Sequence, residues 1–89
     1  MSLYTIYDKK AEESGPVFMA VNDSIASRNA LSVLIDLPRH IHNDYDLVHV
    51  GEYNTCSMAL NAYAPRIVDI SDDLTRMYML SVREVKEHE

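Results

Sequence analysis

The first 21 residues contain two short segments of β-branched, aromatic and other apolar residues, which is typical of strands. Residues 3–8 form one such segment, with Tyr4 and Tyr7 on opposite sides of an extended backbone, so at least one of the two should be buried. Residues 9–15 are polar and end in a glycine–proline pair, which predicts a connecting loop. Residues 17–21 then form a second strand. Because the loop is too short for a crossover helix, we expect antiparallel pairing with the first strand.

The apolar period changes from two to helical spacing after residue 22. The positions that recur at this spacing are Ala26, Ala30, Val33 and Leu37. Residues 22–24 are all good N-cap residues, and Pro38 ends the pattern, so we predict a helix over residues 23–37. Its small residues allow close approach to a sheet. Its exposed side is expected to carry Ser27, Arg28 and Ser32.

The second half of the chain predicts further strands and a final helix. Residues 45–53 form a third strand, in which Gly51 indicates a bulge or a close backbone approach. Residues 54–64 predict a hairpin turn and a short edge strand, and residues 65–70 another short strand. Residues 71–89 have capping and charge patterns typical of a helix, although Tyr78, Leu80 and Val82 also alternate as in a strand.

The resulting order, β-β-α-β-(β)-β-α, predicts an α+β fold with a small, mainly antiparallel sheet and one covering helix. We expect a single domain over residues 1–89, with residues 3–70 as its core and residues 71–89 as a helical C-terminal extension. The sheet face opposite the covering helix is then left open. Such a face suits either a nucleic-acid platform or an oligomer interface, and tyrosines suit both.

Composition narrows the class of protein. The chain has 47% apolar and 25% charged residues, as expected of a folded soluble domain. No apolar run reaches the roughly 18 residues of a membrane span, and residues 1–15 lack the pattern of a secretory signal, so we expect no membrane association. A single cysteine excludes an internal disulfide and fits a reducing cytosol. The net charge of −6 argues against strong nonspecific binding to duplex DNA.

Candidate chemistry is sparse. No nucleophile with a base and an orienting partner is recognisable, and two glycines cannot form a phosphate-binding loop, so we expect no enzyme activity and no cofactor. His40, His42 and Asp44 alternate and could hold a transition metal, but no fourth ligand is indicated. A solvated loop is the interpretation we favour, and we predict no metal site.

Single-stranded nucleic acid remains compatible with a negative total charge, because such binding needs aromatic faces and only a local basic track. The candidate stacking residues are Tyr4, Tyr7 and Tyr53. The candidate phosphate-steering residues are Lys9, Lys10, Arg28 and Arg39. A protein–protein interface on the same sheet face, including one that forms a homodimer, is the alternative.

Several segments together resemble a known family. They are residues 4–12 (YTIYDKKAE), residues 15–19 (GPVFM), the Arg28-Asn29 pair of the helix, and the Tyr45-Asp46-Leu47 to Gly51-Glu52-Tyr53 strand. In order and spacing they are similar to the small nonstructural protein of gokushoviruses, single-stranded DNA phages of the Microviridae, over residues 3–70.

The resemblance implies a DNA-binding role in the bacterial host cytoplasm, when the phage shifts from duplex replication to making and packaging single strands. It supplies no catalytic motif. Our leading hypothesis is therefore an accessory protein that assists single-stranded DNA synthesis or packaging by binding that DNA. The alternative is an adaptor that binds a phage or host protein through the same sheet face or through the C-terminal helix and does not contact DNA.

Overall fold

The protein, represented by a computed structural model, is described for the backbone of residues 1–87 and the side chains of residues 1–80. Its strands and helices follow the order β-β-β-α-β-β-α, with a short 3-10 helix before the fourth strand. They are β1 (Ser2–Asp8), β2 (Glu13–Ser14), β3 (Phe18–Ala20), α1 (Asp23–Leu34), the 3-10 helix (Arg39–Asp44), β4 (Tyr45–Tyr53), β5 (Leu60–Val68) and α2 (Ser71–Glu87).

All five strands belong to one antiparallel sheet in which β1 and β4 are central and β5 is the last strand on one side. β1 pairs with β4 along its whole length, from Ser2 opposite Glu52 to Asp8 opposite Tyr45. The other side of β1 is shared by two short strands, β2 at its carboxyl end and β3 at its amino end. The predicted α+β class, with a mainly antiparallel sheet, is confirmed.

Gly51 marks a close approach between β4 and β5, as its position in the sequence predicts. The register of these strands shifts between His49 and Gly51, where β5 has three residues opposite the single residue Val50. A Cβ atom at Gly51 would collide with the backbone carbonyl oxygen of Asn61. The position therefore requires glycine because of space, since its φ is not positive.

The core lies between α1 and one face of the sheet. Asn22 caps α1 by accepting a hydrogen bond from the Ile25 amide at 2.9 Å. Ala26 is fully buried, so the first turns of α1 approach the sheet closely, as predicted. The buried residues of this core are Tyr4, Ala20, Ala26, Ala30, Leu34, Leu47, Val68, Ile70 and Leu74.

α1 differs from the prediction in its length and in its exposed side. It ends at Leu34, and the turn that follows reaches Pro38 without continuing the helix. Val33, expected in the core, is 52% exposed. Ser27, expected at the surface, is only 3% exposed, because α2 packs beside it and Asp73 accepts a hydrogen bond from its hydroxyl.

The two short strands predicted within residues 54–70 are instead one continuous strand, β5, which crosses Pro65. A proline is tolerated there because β5 is an edge strand and Pro65 lies in the three-residue bulge. Residues 71–87 are helical, which confirms the helix and excludes the strand alternative. Residues 88 and 89, also predicted to be helical, lie outside the described residues.

Candidate functional site

The open face of the sheet, on the side opposite α1, is the first place to look for the predicted binding residues. Residues of β1 alternate across the sheet, so Thr5 and Tyr7 lie opposite the core-facing Tyr4. In the neighbouring strands Val48 lies beside Thr5, and Ile67 lies beside Val48. Val48 is 8% exposed but does not contact the core cluster, which agrees with its place on this second face.

Tyr7 and Tyr53 both lie on the open face and are half-buried. Asp46 is directly opposite Tyr7 and shares its face. At the other end of β4, Ser2 donates a hydrogen bond to Glu52, which places Glu52 on the core side and Tyr53 on the open side. Tyr53 is seven residues beyond Asp46, so about 23 Å of strand separates the two tyrosines.

Tyr4 is the exception among the predicted stacking residues. It is 1% exposed, and its hydroxyl donates a 2.7 Å hydrogen bond to Asp23 at the start of α1. Burial, followed by this bond to a carboxylate, raises the pKa of Tyr4 above its ordinary value. The expected stacking role is therefore wrong for Tyr4, because a core ring presents no face to a base. The prediction that Tyr4 or Tyr7 is buried is confirmed.

Lys9 and Lys10 lie in the turn that follows β1, next to Tyr7. The Asp8 carboxylate fixes this turn by accepting hydrogen bonds from the amides of Lys10 and Ala11 at 2.9 and 3.1 Å. Lys9 is partly neutralised, because its Nζ lies 3.6 Å from the Asp46 carboxylate. Both lysines are exposed, so the turn places two positive charges at the Tyr7 end of the open face.

Arg28 and Arg39 are exposed but belong to other surfaces. Arg28 lies on α1 and lines the groove between α1 and α2, together with Arg76. Arg39 lies on the 3-10 helix, with its guanidinium 3.9 Å from the ring centre of Tyr78. The structure therefore brings together Tyr7, Lys9 and Lys10, places Tyr53 at the far end of the same face, and leaves both arginines away from it.

A polar cluster that the sequence did not indicate lies at the start of α1. Both terminal nitrogens of Arg66 donate to the Asp23 carboxylate at 3.1 Å, and Tyr4 donates to the same group. The Arg66 guanidinium, then the Tyr4 hydroxyl, lower the pKa of Asp23 below its ordinary value. These residues are 43 and 19 positions apart in the chain, so no local pattern could have revealed them.

The histidine-rich segment forms the 3-10 helix, which corrects the expectation of a solvated loop at His42. That side chain is 3% exposed, and its ring nitrogens contact the Tyr78 hydroxyl at 2.6 Å and the Leu37 carbonyl at 2.9 Å. His42 therefore connects α2 to the turn that follows α1, and both of its ring nitrogens have hydrogen-bonding partners. Across residues 1–80, no group of three or more metal-ligating side chains comes together.

An apolar groove of about 640 Å³ runs between β1–β3 and the second half of α1. Ile6, Phe18 and Val33 contribute to its apolar lining, while Asp8 and Glu13 belong to its rim. Its size falls within the range of ligand-binding clefts. The sequence did not predict this groove, because it is formed between α1 and the strands, and its lining residues Ile6 and Val33 are distant in the chain.

An antiparallel sheet with one covered and one open face places the molecule among small α+β proteins. The chain belongs to the phage ORF5 protein family, whose family model matches residues 1–75. Comparisons with curated proteins and with solved structures give no significant match. Among the described residues, no helix is both long and apolar enough to cross a membrane.

Proposed function

We propose that this phage protein is a non-enzymatic accessory protein that binds single-stranded DNA on the open face of its sheet. In this proposal it acts in the cytoplasm of the bacterial host, during single-stranded DNA synthesis or packaging, as the resemblance to the gokushovirus protein implies. The observation that carries it is the common face of Tyr7 and Tyr53, one on each of the two central strands.

Stacking of bases on the two tyrosines would supply most of the affinity. Each stacked base is worth about 1–3 kcal/mol, and stacking tolerates any base sequence. The row formed by Thr5, Val48 and Ile67 carries no charged side chain, and Ile67 is its exposed member at 65%. A strand of DNA crossing this row would meet the apolar side chain of Ile67 and no carboxylate there.

Lys9 and Lys10 would contact phosphates beside Tyr7. Lys9 Nζ lies 3.6 Å from Asp46, the residue opposite Tyr7, whereas Arg66 is held by Asp23 on the core side. The carboxylate of Asp46 competes with phosphate for Lys9. We therefore expect modest affinity with a small dependence on salt, as only two phosphates are neutralised.

The experiment is fluorescence anisotropy of a labelled single strand of about 30 nucleotides at about 50 mM salt, with a duplex control. The test variant is Lys9→Glu with Lys10→Glu. Its matched control is Arg28→Glu with Arg76→Glu, which makes the same change in net charge on the groove between α1 and α2. We expect saturable single-strand binding that the lysine pair weakens at least about tenfold and the arginine pair leaves within about threefold.

Salt dependence makes the test sharper. Loss of two phosphate contacts should reduce the slope of log affinity against log salt by about 1.4, at roughly 0.7 per phosphate for single strands. An equal loss in the two double variants would mean that only total charge matters. Absence of binding up to about 100 μM would contradict the proposal that the protein binds DNA directly.

An adaptor function is the second candidate, favoured by the apolar groove between β1–β3 and α1. Asp8 and Glu13 line it, and no basic residue does so among the side chains of residues 1–80. Its chemistry fits an apolar protein segment that carries a lysine or arginine. Binding there would leave the open face free, so the two functions are separable.

The adaptor hypothesis is tested with two synthetic amphipathic helical peptides. One is composed of leucine and lysine, and the other of leucine and glutamate. Saturable binding of the lysine peptide alone, lost in Val33→Lys but kept in Ile35→Lys, would support it. Both residues lie at or next to the end of α1 and are similarly exposed, at 52% and 58%, but only Val33 lines the groove. Equal binding of the two peptides would contradict it.

A further inference from the structure

The outer edge strand β5 is exposed along almost its whole length. Every residue from Leu60 to Ile67 is exposed, and β5 is the last strand on its side. Leu60, Tyr63 and Ile67 are 70%, 46% and 65% exposed. A long edge strand with exposed apolar side chains is a ready template for pairing with another strand.

The direction of the β5 backbone groups follows from contacts at the end of β4. The Tyr53 amide donates to the Met1 carbonyl at 2.8 Å, and the Tyr53 carbonyl accepts from the Met1 nitrogen at 2.9 Å. Both Tyr53 groups therefore point away from β5. Since Leu60 is opposite Tyr53, the amide and carbonyl of Leu60 point outward to the free edge. By alternation those of Asn61 point inward and those of Ala62 point outward.

This arrangement is self-complementary about Asn61. If a second copy approaches antiparallel with its Asn61 directly opposite, Leu60 lies opposite Ala62 of the partner subunit. Those two residues can exchange both of their backbone hydrogen bonds, and two-fold symmetry repeats the exchange, which gives four bonds in all. Each leucine then packs beside an alanine. The facing Asn61 side chains each offer a donor and an acceptor to the other.

Charge favours a second copy as the occupant. The chain has 14 acidic residues, yet residues 54–68 include none of them and only one charged residue, Arg66. Two molecules that each carry a net charge of −6 repel each other least when they meet on surfaces without acids. The β5 edge is such a surface, and an antiparallel pair brings no carboxylates together.

We propose that β5 is a homodimer interface, in which two copies pair antiparallel about Asn61 and continue one sheet across the two-fold axis. The interface is independent of the proposed DNA binding, because it uses the edge of the sheet and not its face. It also sets the two open faces side by side, on the same side of a ten-stranded sheet.

The test is sedimentation velocity of the full chain without DNA, from about 5 to 200 μM. Leu60→Asp places a carboxylate at each end of the shared segment, and Val17→Asp is its control, since Val17 is 59% exposed and lies outside the β5 edge. We expect a concentration-dependent dimer whose dissociation constant rises roughly tenfold or more in Leu60→Asp. Val17→Asp should leave it within about threefold. A monomer at 200 μM, or a dimer equally affected by both changes, would overturn the proposal.

The proposed pairing of Asn61 opposite Asn61 is tested with the variant Asn61→Cys. This variant also carries Cys56→Ser, so that no other thiol is present. Directly opposed residues of a non-hydrogen-bonded pair have Cα atoms about 4.5 Å apart, which is within disulfide reach. Mild oxidation should therefore yield a covalent dimer. A Ser32→Cys control on α1 should yield little. Equal cross-linking of both variants would overturn pairing about Asn61.

Discussion

Replacing Tyr4 by phenylalanine isolates one hydrogen bond in the core. The ring of Tyr4 is 1% exposed and is retained by the substitution, so packing against α1 changes little. What is lost is the 2.7 Å hydrogen bond from the hydroxyl to Asp23. Asp23 keeps its two contacts with Arg66, so the carboxylate is not left without a partner.

The expected loss of stability follows from the chemistry and exposure of this bond. A hydrogen bond to a charged group contributes about 1.5–3 kcal/mol. The Asp23 side chain is 44% exposed, so water replaces part of the interaction, and we expect a loss of about 1–1.5 kcal/mol. For a domain of this length that corresponds to a fall in Tm of roughly 4–12 °C.

The loss should depend on pH with a defined sign. Because the pKa of Asp23 is lower in the folded protein than its ordinary value of 3.8, the carboxylate stabilises the fold above that value. This stabilisation is lost as pH falls through the lower, folded pKa. The difference between wild type and Tyr4→Phe should therefore be full at pH 7 and shrink below pH 3.8.

Urea unfolding followed by circular dichroism at several pH values measures both quantities. Arg66→Gln serves as a comparison, because it removes the other partner of Asp23 while leaving the tyrosine. A difference below about 0.3 kcal/mol at pH 7, or one that stays constant through the acidic range, would refute the assigned bond. Unchanged DNA binding in Tyr4→Phe is also expected, since a buried ring does not stack on bases.

Two further changes test the packing of the strands and helices. Gly51→Ala should destabilise the protein by about 1–3 kcal/mol, because the new methyl group meets the Asn61 backbone; unfolding equal to wild type would contradict this close approach. Ser27→Ala should cost about 1 kcal/mol and speed amide hydrogen exchange in the first turns of α2, since it removes the hydrogen bond to Asp73. Exchange that is faster in α1 alone would contradict the contact.

Local signals in the sequence were enough for much of the fold. The bounds predicted for β4, residues 45–53, agree with the structure. The start of α1 could be predicted from Asn22, whose side chain caps the helix. Its end was not, because apolar residues continue at helical spacing to Leu37 although the helix ends at Leu34.

The parts that sequence did not predict depend on contacts between distant residues. Ser27 is buried by α2, whose Asp73 is 46 positions away, so helical spacing alone placed it on the wrong side. Alternation showed that Tyr4 and Tyr7 occupy different faces, but only the position of α1 decides which is core. Pro65 was interpreted as the first residue of a strand, where proline is common, yet it lies within a bulge of β5.

The side of β1 that pairs with β2 and β3 offers no long edge to which a further strand could be added. β2 has two residues and β3 three, and between them the chain passes through Gly15 and Pro16, where proline offers no amide donor. An added strand would find no continuous ladder there. Each subunit thus has one long free edge, that of β5. Pairing through β5 would leave neither copy with a long free edge. In the proposed dimer, association would therefore close at two subunits and would not continue into a fibre.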